Sequence, residues 1–299
     1  MTDLFNTGQL LREVFPADLK YLDEAYLDWL YRKSPSGTVI ESNRDDETGR
    51  IGHYAVVPQQ WSLGGIKQIV ALSLNTAVSE RARGMGMFTL LAGETYLMAA
   101  DQGVDWIVGV ANANSTPGFT RKLGFDLKGP LDARAIFGIS LRLPTIIDSE
   151  NVVKLHDHLE QAMSSRQGEE FKRYWTIEEL RWRLSNPAAR YWLIIVGNCL
   201  IVATRSTQMG VRFGVILKIF VGGEKATVSL SRIARSVSRV VKAPLCVYGG
   251  VNNRIRTRGI MIPRKFRPSP LNVIVKSLGN QPRPIPTPCV MEFLDFDAY

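Results

Sequence analysis

The chain has 299 residues, 45% of them hydrophobic, and 37 Lys and Arg against 28 Asp and Glu give it a formal net charge of +9. That length buries a large core and predicts two domains, and the composition excludes a disordered or collagen-like chain. No run approaches ~18 uninterrupted apolar residues and Met1-Thr2-Asp3 opens no basic leader, so the expectation is a cytoplasmic protein without a membrane span.

Gly8 to Val14 reads as a first strand. Pro16 to Tyr31 reads as a helix with Leu19, Leu22, Ala25, Tyr26, Trp29 and Leu30 on one face, stopped at Ser34-Pro35-Ser36-Gly37. The polar run Asn43 to Thr48 predicts a turn before a strand from Arg50 to Val57, and Gly64-Gly65 predicts a hairpin. The next strand alternates at Val70, Leu72 and Leu74 and ends at Val78. A charged turn with glycines follows from Glu80 to Gly86, and Met87, Leu90, Leu91 and Leu97 then take helical spacing. A second strand, Asp105 to Val110, leads through Asn112-Ala113-Asn114-Ser115 to a helix ending in Arg121-Lys122-Leu123-Gly124-Phe125. Asp132 to Leu143 alternates and is expected to close the sheet as its last strand.

A strand that feeds a glycine turn opening a helix gathers free backbone N–H groups and the positive end of the helix dipole, a setting for phosphate. A dinucleotide fingerprint fails here, because Gly84-x-Gly86 is followed by Thr89 and the next strand carries no terminal acid. A nucleotide P-loop fails for want of Gly-Lys-Ser/Thr. The stretch Val78 to Met87 resembles the turn of the GNAT superfamily of acyl-CoA N-acyltransferases, Arg/Gln-x-x-Gly-x-Gly/Ala. Arg83 to Met87 falls in the family's usual register, five residues after Val78, with Phe88 replacing the last small residue, and Arg81-x-x-Gly84-x-Gly86 satisfies the same pattern two residues earlier. The strand, Asn-rich turn, helix and Lys122-Leu123-Gly124-Phe125 resemble the second motif of the same superfamily, so the likeness covers roughly the first half. Thr120, beside Phe119, stands where the family often has a tyrosine acid for the leaving thiolate.

The second half repeats this order. A helix over Glu178 to Asn186, strands at Tyr191 to Val196, Leu200 to Arg205 and Gly214 to Val221, a helix over Thr227 to Val241 and a strand at Pro244 to Gly249 are expected. Short echoes support a diverged duplication: Trp182-Arg183-Leu184 with Trp29-Leu30-Tyr31, Val251-Asn252-Asn253 with Val110-Ala111-Asn112, and Lys276-Ser277-Leu278-Gly279 with Arg121-Lys122-Leu123-Gly124. The reading is therefore an α/β fold with a mixed sheet: a GNAT-like acyl-CoA domain over 1–146 and a diverged GNAT-like, acceptor-binding domain over 147–299. Gly222-Gly223-Glu224-Lys225-Ala226 lacks the pyrophosphate pattern, so the second copy is expected to have lost the coenzyme site.

The resemblance implies an N-acyltransferase that uses acyl-CoA, with acetyl or a longer acyl chain, as co-substrate. It places main-chain contacts to pantetheine at Leu74, Thr76, Ala77 and Val78, and the pyrophosphate cradle at Arg81, Arg83, Gly84, Met85, Gly86 and Met87, with Asn112 beside the pantetheine or acceptor. Ser73 and Asn75 on the motif strand, and His53 on its neighbour, are the candidate proton-handling groups. From Lys225 to Met291 there is no acidic residue, a field that favours a polyanion such as coenzyme A, a nucleotide diphosphate, nucleic acid or anionic lipid. Arg254, Arg256 and Arg258 are accordingly expected to hold an anionic small-molecule acceptor, the amine of a nucleotide-linked amino sugar. Acylation of a lipid, peptide or other small amine, and a non-catalytic acyl-CoA-binding module, remain the alternatives. No recognised nucleic-acid motif appears, and Cys199, Cys246, Cys289, His53, His156 and His158 show neither disulfide nor metal spacing.

Overall fold

The computed structural model describes residues 3–16, 20, 23–139, 144–147, 152–163, 170–208, 210–223, 227–256, 258–263, 271–279 and 289–296. The expected strand Gly8–Val14 is instead part of a helix, α1 (Leu4–Val14). Asp3 caps it by accepting from the Asn6 amide, and Thr7, Leu10 and Leu11 are buried at helical spacing, a period the short window concealed. Helix α2 (Glu24–Arg32) is capped by Asp23 and covers the shorter, described part of the helix expected from residue 16. Strand β1 (Ile40–Asp46) takes most of the polar run read as a turn, which shrinks to residues 47 and 48 before β2 (Gly49–Leu63). The Gly64-Gly65 hairpin joins β2 to β3 (Ile66–Val78) as expected.

Helix α3 (Met87–Asp101) crosses to β4 (Trp106–Ala111), which runs parallel to β3. A short helix (Gly118–Lys122), β5 (Asp126–Pro130), β6 (Ala133–Phe137) and β7 (Thr145–Ile147) complete the first half. The second half runs α4 (Val152–Met163), β8 (Phe171–Arg173), α5 (Ile177–Leu184), β9 (Trp192–Val196), β10 (Cys199–Gln208) and β11 (Val211–Val221). It continues with β12 (Val228–Ser229), α6 (Leu230–Val241), β13 (Leu245–Val251), β14 (Ile255–Arg256), β15 (Ile260–Met261), β16 (Asn272–Ser277) and β17 (Cys289–Glu292).

Two lobes emerge with matching plans. In each, an antiparallel pair (β2–β3, β10–β11) is followed by a crossover helix (α3, α6) and a strand parallel to the second member (β4, β13). Each central strand also bulges. Between His53 and Ala55 the register of β3 gains a residue, and between Val202 and Ala203 that of β11 gains one at Leu217.

The last strand of each lobe comes from the other half. β16 inserts between β4 and β5, pairing antiparallel to both. β6, which the alternation of residues 132–143 suggested as the closing strand of its own sheet, pairs antiparallel with β13 and β15 of the second lobe instead. Residues 140–143 of that run lie outside the described ones. The echo of Arg121-Lys122 in Lys276-Ser277 fails for the same reason: the first pair is helical, the second ends a strand. β8 and β17 bridge β2 to β13, so the sheets are continuous. Between the lobes a shared core gathers Trp61, Trp106, Phe171, Trp175 and Phe293.

Candidate functional site

β3 pairs with β4 only from Val70 to Ser73, opposite Trp106 to Gly109, yet β3 continues to Val78. The cause is the bulge at Asn75, a non-glycine residue held at φ 53°. An extra residue bends the strand away from its neighbour, so Leu74 to Val78 present a backbone edge with no strand across it among the described residues. Such an edge is open to an extended ligand that carries amides of its own.

The chain then turns through Glu80–Ala82 to α3. Gly84 and Gly86 take φ 81° and 75°, values that favour glycine, and Gly86 caps the helix in the left-handed region. The register beginning at Arg81 is the one that sets both glycines at these positions. The amides of Met85, Gly86, Met87 and Phe88 donate to no acceptor among the described residues, and no acidic side chain sits in the first helical turn. A Cβ at Gly84 or Gly86 would meet nothing within 4 Å. This is an exposed ring of donors at the positive end of a 15-residue helix, which fits a pyrophosphate. Arg81 is held by Asp46 at 3.2 Å, whereas Arg83 stays largely exposed with a loose 3.8 Å contact to Glu80. Phe88 folds back against Phe119 and Tyr54, anchoring the first turn on the core.

The proton-handling candidates separate onto the two faces of the sheet. Asn75 and His53 meet at Tyr31 beneath α2: Asn75 Nδ2 donates to Tyr31 Oη (3.0 Å), which lies 2.9 Å from His53 Nε2. His53 Nδ1 lies 2.6 Å from Asn43 Oδ1, an oxygen that only accepts, so Nδ1 carries the proton and Nε2 accepts from the tyrosine. His53 is fully buried, and burial pushes it down to about 3. It is therefore neutral, occupied at both nitrogens and out of reach of a substrate, a correction to its expected service as base.

Ser73 lies on the other face, at the apex where β3 and β4 part. Its Oγ is 3.0 Å from Tyr54 Oη, which in turn is 2.5 Å from Tyr96 Oη. Burial raises Tyr54 to about 12 and raises Tyr96 further, so both stay protonated. Three tyrosines thus surround the bulge, and no motif in the sequence marks them as functional; only the alternation of His53 and Tyr54 on one strand, which sends them to opposite faces, hints at the split.

Thr120 is no substitute acid, since its hydroxyl donates to the Thr116 carbonyl at 3.0 Å. Asn112 Oδ1 accepts from the Ser115 amide at 2.8 Å, and its carbonyl accepts from Thr116, so the residue caps the turn and keeps only its Nδ2 toward the exterior.

The second lobe shows what closes such a site. Arg254 is buried and donates to the carbonyls of Val221 (2.8 Å) and Gly223, locking the end of β11 from within. That corrects its expected acceptor-binding part; Arg256 is exposed beside the start of α6, and Arg258 is exposed. Glu224 to Ala226, where the pyrophosphate pattern is missing, lie outside the described residues. A small recess in this lobe is lined by Lys218, Glu292, Glu170, Arg173 and Arg254 among others. No cluster of metal-ligating side chains occurs among the described residues.

No family profile and no curated protein matches the sequence. Solved structures do. A conserved protein from Enterococcus faecalis V583, described as a probable N-acyltransferase, aligns with a TM-score of 0.61 at 10% identity over 92% of this chain and 70% of its own. A GCN5-related N-acetyltransferase from Anabaena variabilis ATCC 29413 gives 0.61 at 12% identity over 91% and 70%. One from Kribbella flavida gives 0.59 at 12% identity over 92% and 68%. The chain has the GCN5-related N-acetyltransferase fold that its two motifs implied; identities this low leave the chemistry to be argued from the site.

Proposed function

We propose that the first lobe is an acyl-CoA-dependent N-acyltransferase with a primary amine as acceptor. The carrying observation is the run of amides at Met85–Phe88 without an acceptor among the described residues, directly after a bulged strand that β4 leaves beyond Ser73. The amides and Arg83 hold the pyrophosphate; Leu74 to Val78 align the pantetheine arm; Asn112 Nδ2 stands at its flank. Acyl-CoA supplies an activated thioester. Asn75 fixes the bulge through Tyr31 and His53. Ser73, backed by Tyr54 and Tyr96, is the hydroxyl at the apex; it passes its proton to the departing thiolate and takes up the one that the attacking nitrogen gives up.

The acceptor amine must lose its proton to attack, and a neutral arrival at the apex suffices where no base touches it. An anionic nucleotide-linked amino sugar is the finer proposal for the acceptor, supported by Arg256 and Arg258 now that Arg254 is engaged internally. The test is thiol release from acyl-CoAs of increasing length, offered with nucleotide-linked amino sugars and simple amines. Gly86→Glu, which sets a carboxylate against the pyrophosphate, is expected to abolish both coenzyme binding and turnover. Undiminished binding in that variant overturns the placement of the coenzyme. Binding without thiol release for any amine leaves only an acyl-CoA-binding module.

A further inference from the structure

Helix α6 carries two faces of different chemistry. Leu230, Ile233, Ala234, Val237 and Val241 are buried against the second sheet. Arg232, Arg235 and Arg239 are exposed at spacings of three and four residues, so they stand in one line, continued by the exposed capping residue Lys242. None of the four has an acidic partner among the described residues, whereas Arg32, Lys33, Arg44 and Arg81, elsewhere on the surface, are all paired. The surroundings offer no carboxylate either. α6 packs on β6, β9, β10, β11 and β13, and none of these strands contains an Asp or Glu. Between Glu179 and Glu292 the sequence holds a single acid, Glu224, which lies outside the described residues. Like charges three and four residues apart repel along a helix, so this row costs the fold stability until something outside neutralises it.

We infer that the outer face of α6 binds the sugar–phosphate backbone of a nucleic-acid duplex without regard to sequence. The helical rise puts Arg232 and Lys242 about 15 Å apart along the axis. One strand of a duplex carries a phosphate every ~3.4 Å, so about four phosphates cover that length, one for each cation. Ser229 and Ser236 flank the row on one side and Ser231 on the other, and hydroxyls of this kind donate to phosphate oxygens. The same face has no Asn, Gln or aromatic residue, so it lacks the amides that read adenine and the rings that stack on unpaired bases. A bilayer fits less well, since no large apolar residue from Val228 to Lys242 is exposed to enter its acyl boundary. A docked protein would need an apolar centre that this face does not offer. The inference draws on neither Arg256 nor Arg258 and is independent of what the first lobe acylates.

The test is fluorescence anisotropy of the full chain with short labelled DNA duplexes of mixed sequence, between about 50 and 200 mM salt. Four neutralised phosphates predict a slope of about −3.6 for log K against log salt, roughly a 150-fold loss over that range. Unrelated duplex sequences should bind alike. Arg235→Gln with Arg239→Gln should halve the slope, whereas Arg32→Gln with Lys33→Gln, which removes the same charge from α2, should leave it unchanged. All four side chains are exposed, and an unchanged melting transition confirms folding in both variants. Equal slopes in the two variants overturn the inference, because the overall charge of the chain then accounts for binding. Absence of binding at the lowest salt overturns it outright. Tighter binding to phosphatidylglycerol vesicles than to duplex at equal phosphate concentration overturns it in favour of a membrane surface.

Discussion

Trp29 and Trp182 stack with ring centroids 4.8 Å apart and planes 18° from parallel, and each indole N–H donates to the backbone carbonyl of the other residue, at 2.8 and 3.1 Å. The exchange is reciprocal, as a local two-fold axis between α2 and α5 requires, and it sits on the two helices whose sequences echo one another. Offset aromatic stacking contributes about 0.5–1.5 kcal/mol beyond area burial, and each buried hydrogen bond about 1 kcal/mol. A double-mutant cycle with Trp29→Ala and Trp182→Ala is therefore expected to show a coupling of about 1–3 kcal/mol in urea unfolding. Additive losses would mean that the helices hold together without this contact.

His53 should leave a signature in the pH dependence of stability. Its folded pKa is depressed to about 3, while an unfolded chain titrates near 6.5. Between those values the unfolded state binds the extra proton, so the contribution is whole above about pH 6.5 and is lost as pH falls toward 3, by up to ~1.4 kcal/mol per pH unit. His53→Gln should flatten that slope in denaturant titrations across the interval. A residue acting as base would in addition shift an ionisation in kcat/KM, and no such shift is expected.

Lys218 is buried between Glu292 (3.1 Å) and Asp295 (2.6 Å). Burial holds Glu292 above the usual carboxylate range, against the pull of the lysine. Lys218→Met would leave two carboxylates facing each other without a cation, a change expected to cost about 3–5 kcal/mol. Thermal unfolding should show it, and lowering the pH should restore part of the loss as a carboxylate takes up a proton.

Ser73→Ala tests the apex. If the hydroxyl chain through Tyr54 donates to the departing thiolate, kcat should fall by ~10²-fold or more with the KM for acyl-CoA little changed. Arg81→Ala, by contrast, removes a partner of Asp46 and should leave turnover nearly intact.

Much of this architecture is legible in the residues themselves. The order strand, glycine turn, helix, strand from Val70 to Val110 follows from local periodicity and from two glycines at positive φ, and the Gly64-Gly65 hairpin needs only its own dipeptide. What local pattern cannot carry is partnership. The alternation in 133–137 announces a strand and nothing in it names β13, some 110 residues away, as the neighbour; Asn272–Ser277 is equally silent about β4. The site divides the same way. Gly84 and Gly86 declare themselves, whereas Tyr31, Tyr54 and Tyr96 look like ordinary core residues until three-dimensional packing brings their hydroxyls to the bulge.

The crossed strands have a bearing on how the protein is made. When the ribosome has finished β5, the edge of β4 still lacks the neighbour that lies about 140 residues further along the message. The nascent N-terminal half must wait with an unfilled slot, and β6 waits beside it for β13. Synthesis at ~5–20 residues per second makes that interval many seconds long, during which a holding chaperone has two open seams to shield. Completion of either lobe is thus tied to arrival of the other, a maturation step with no finished lobe on the way.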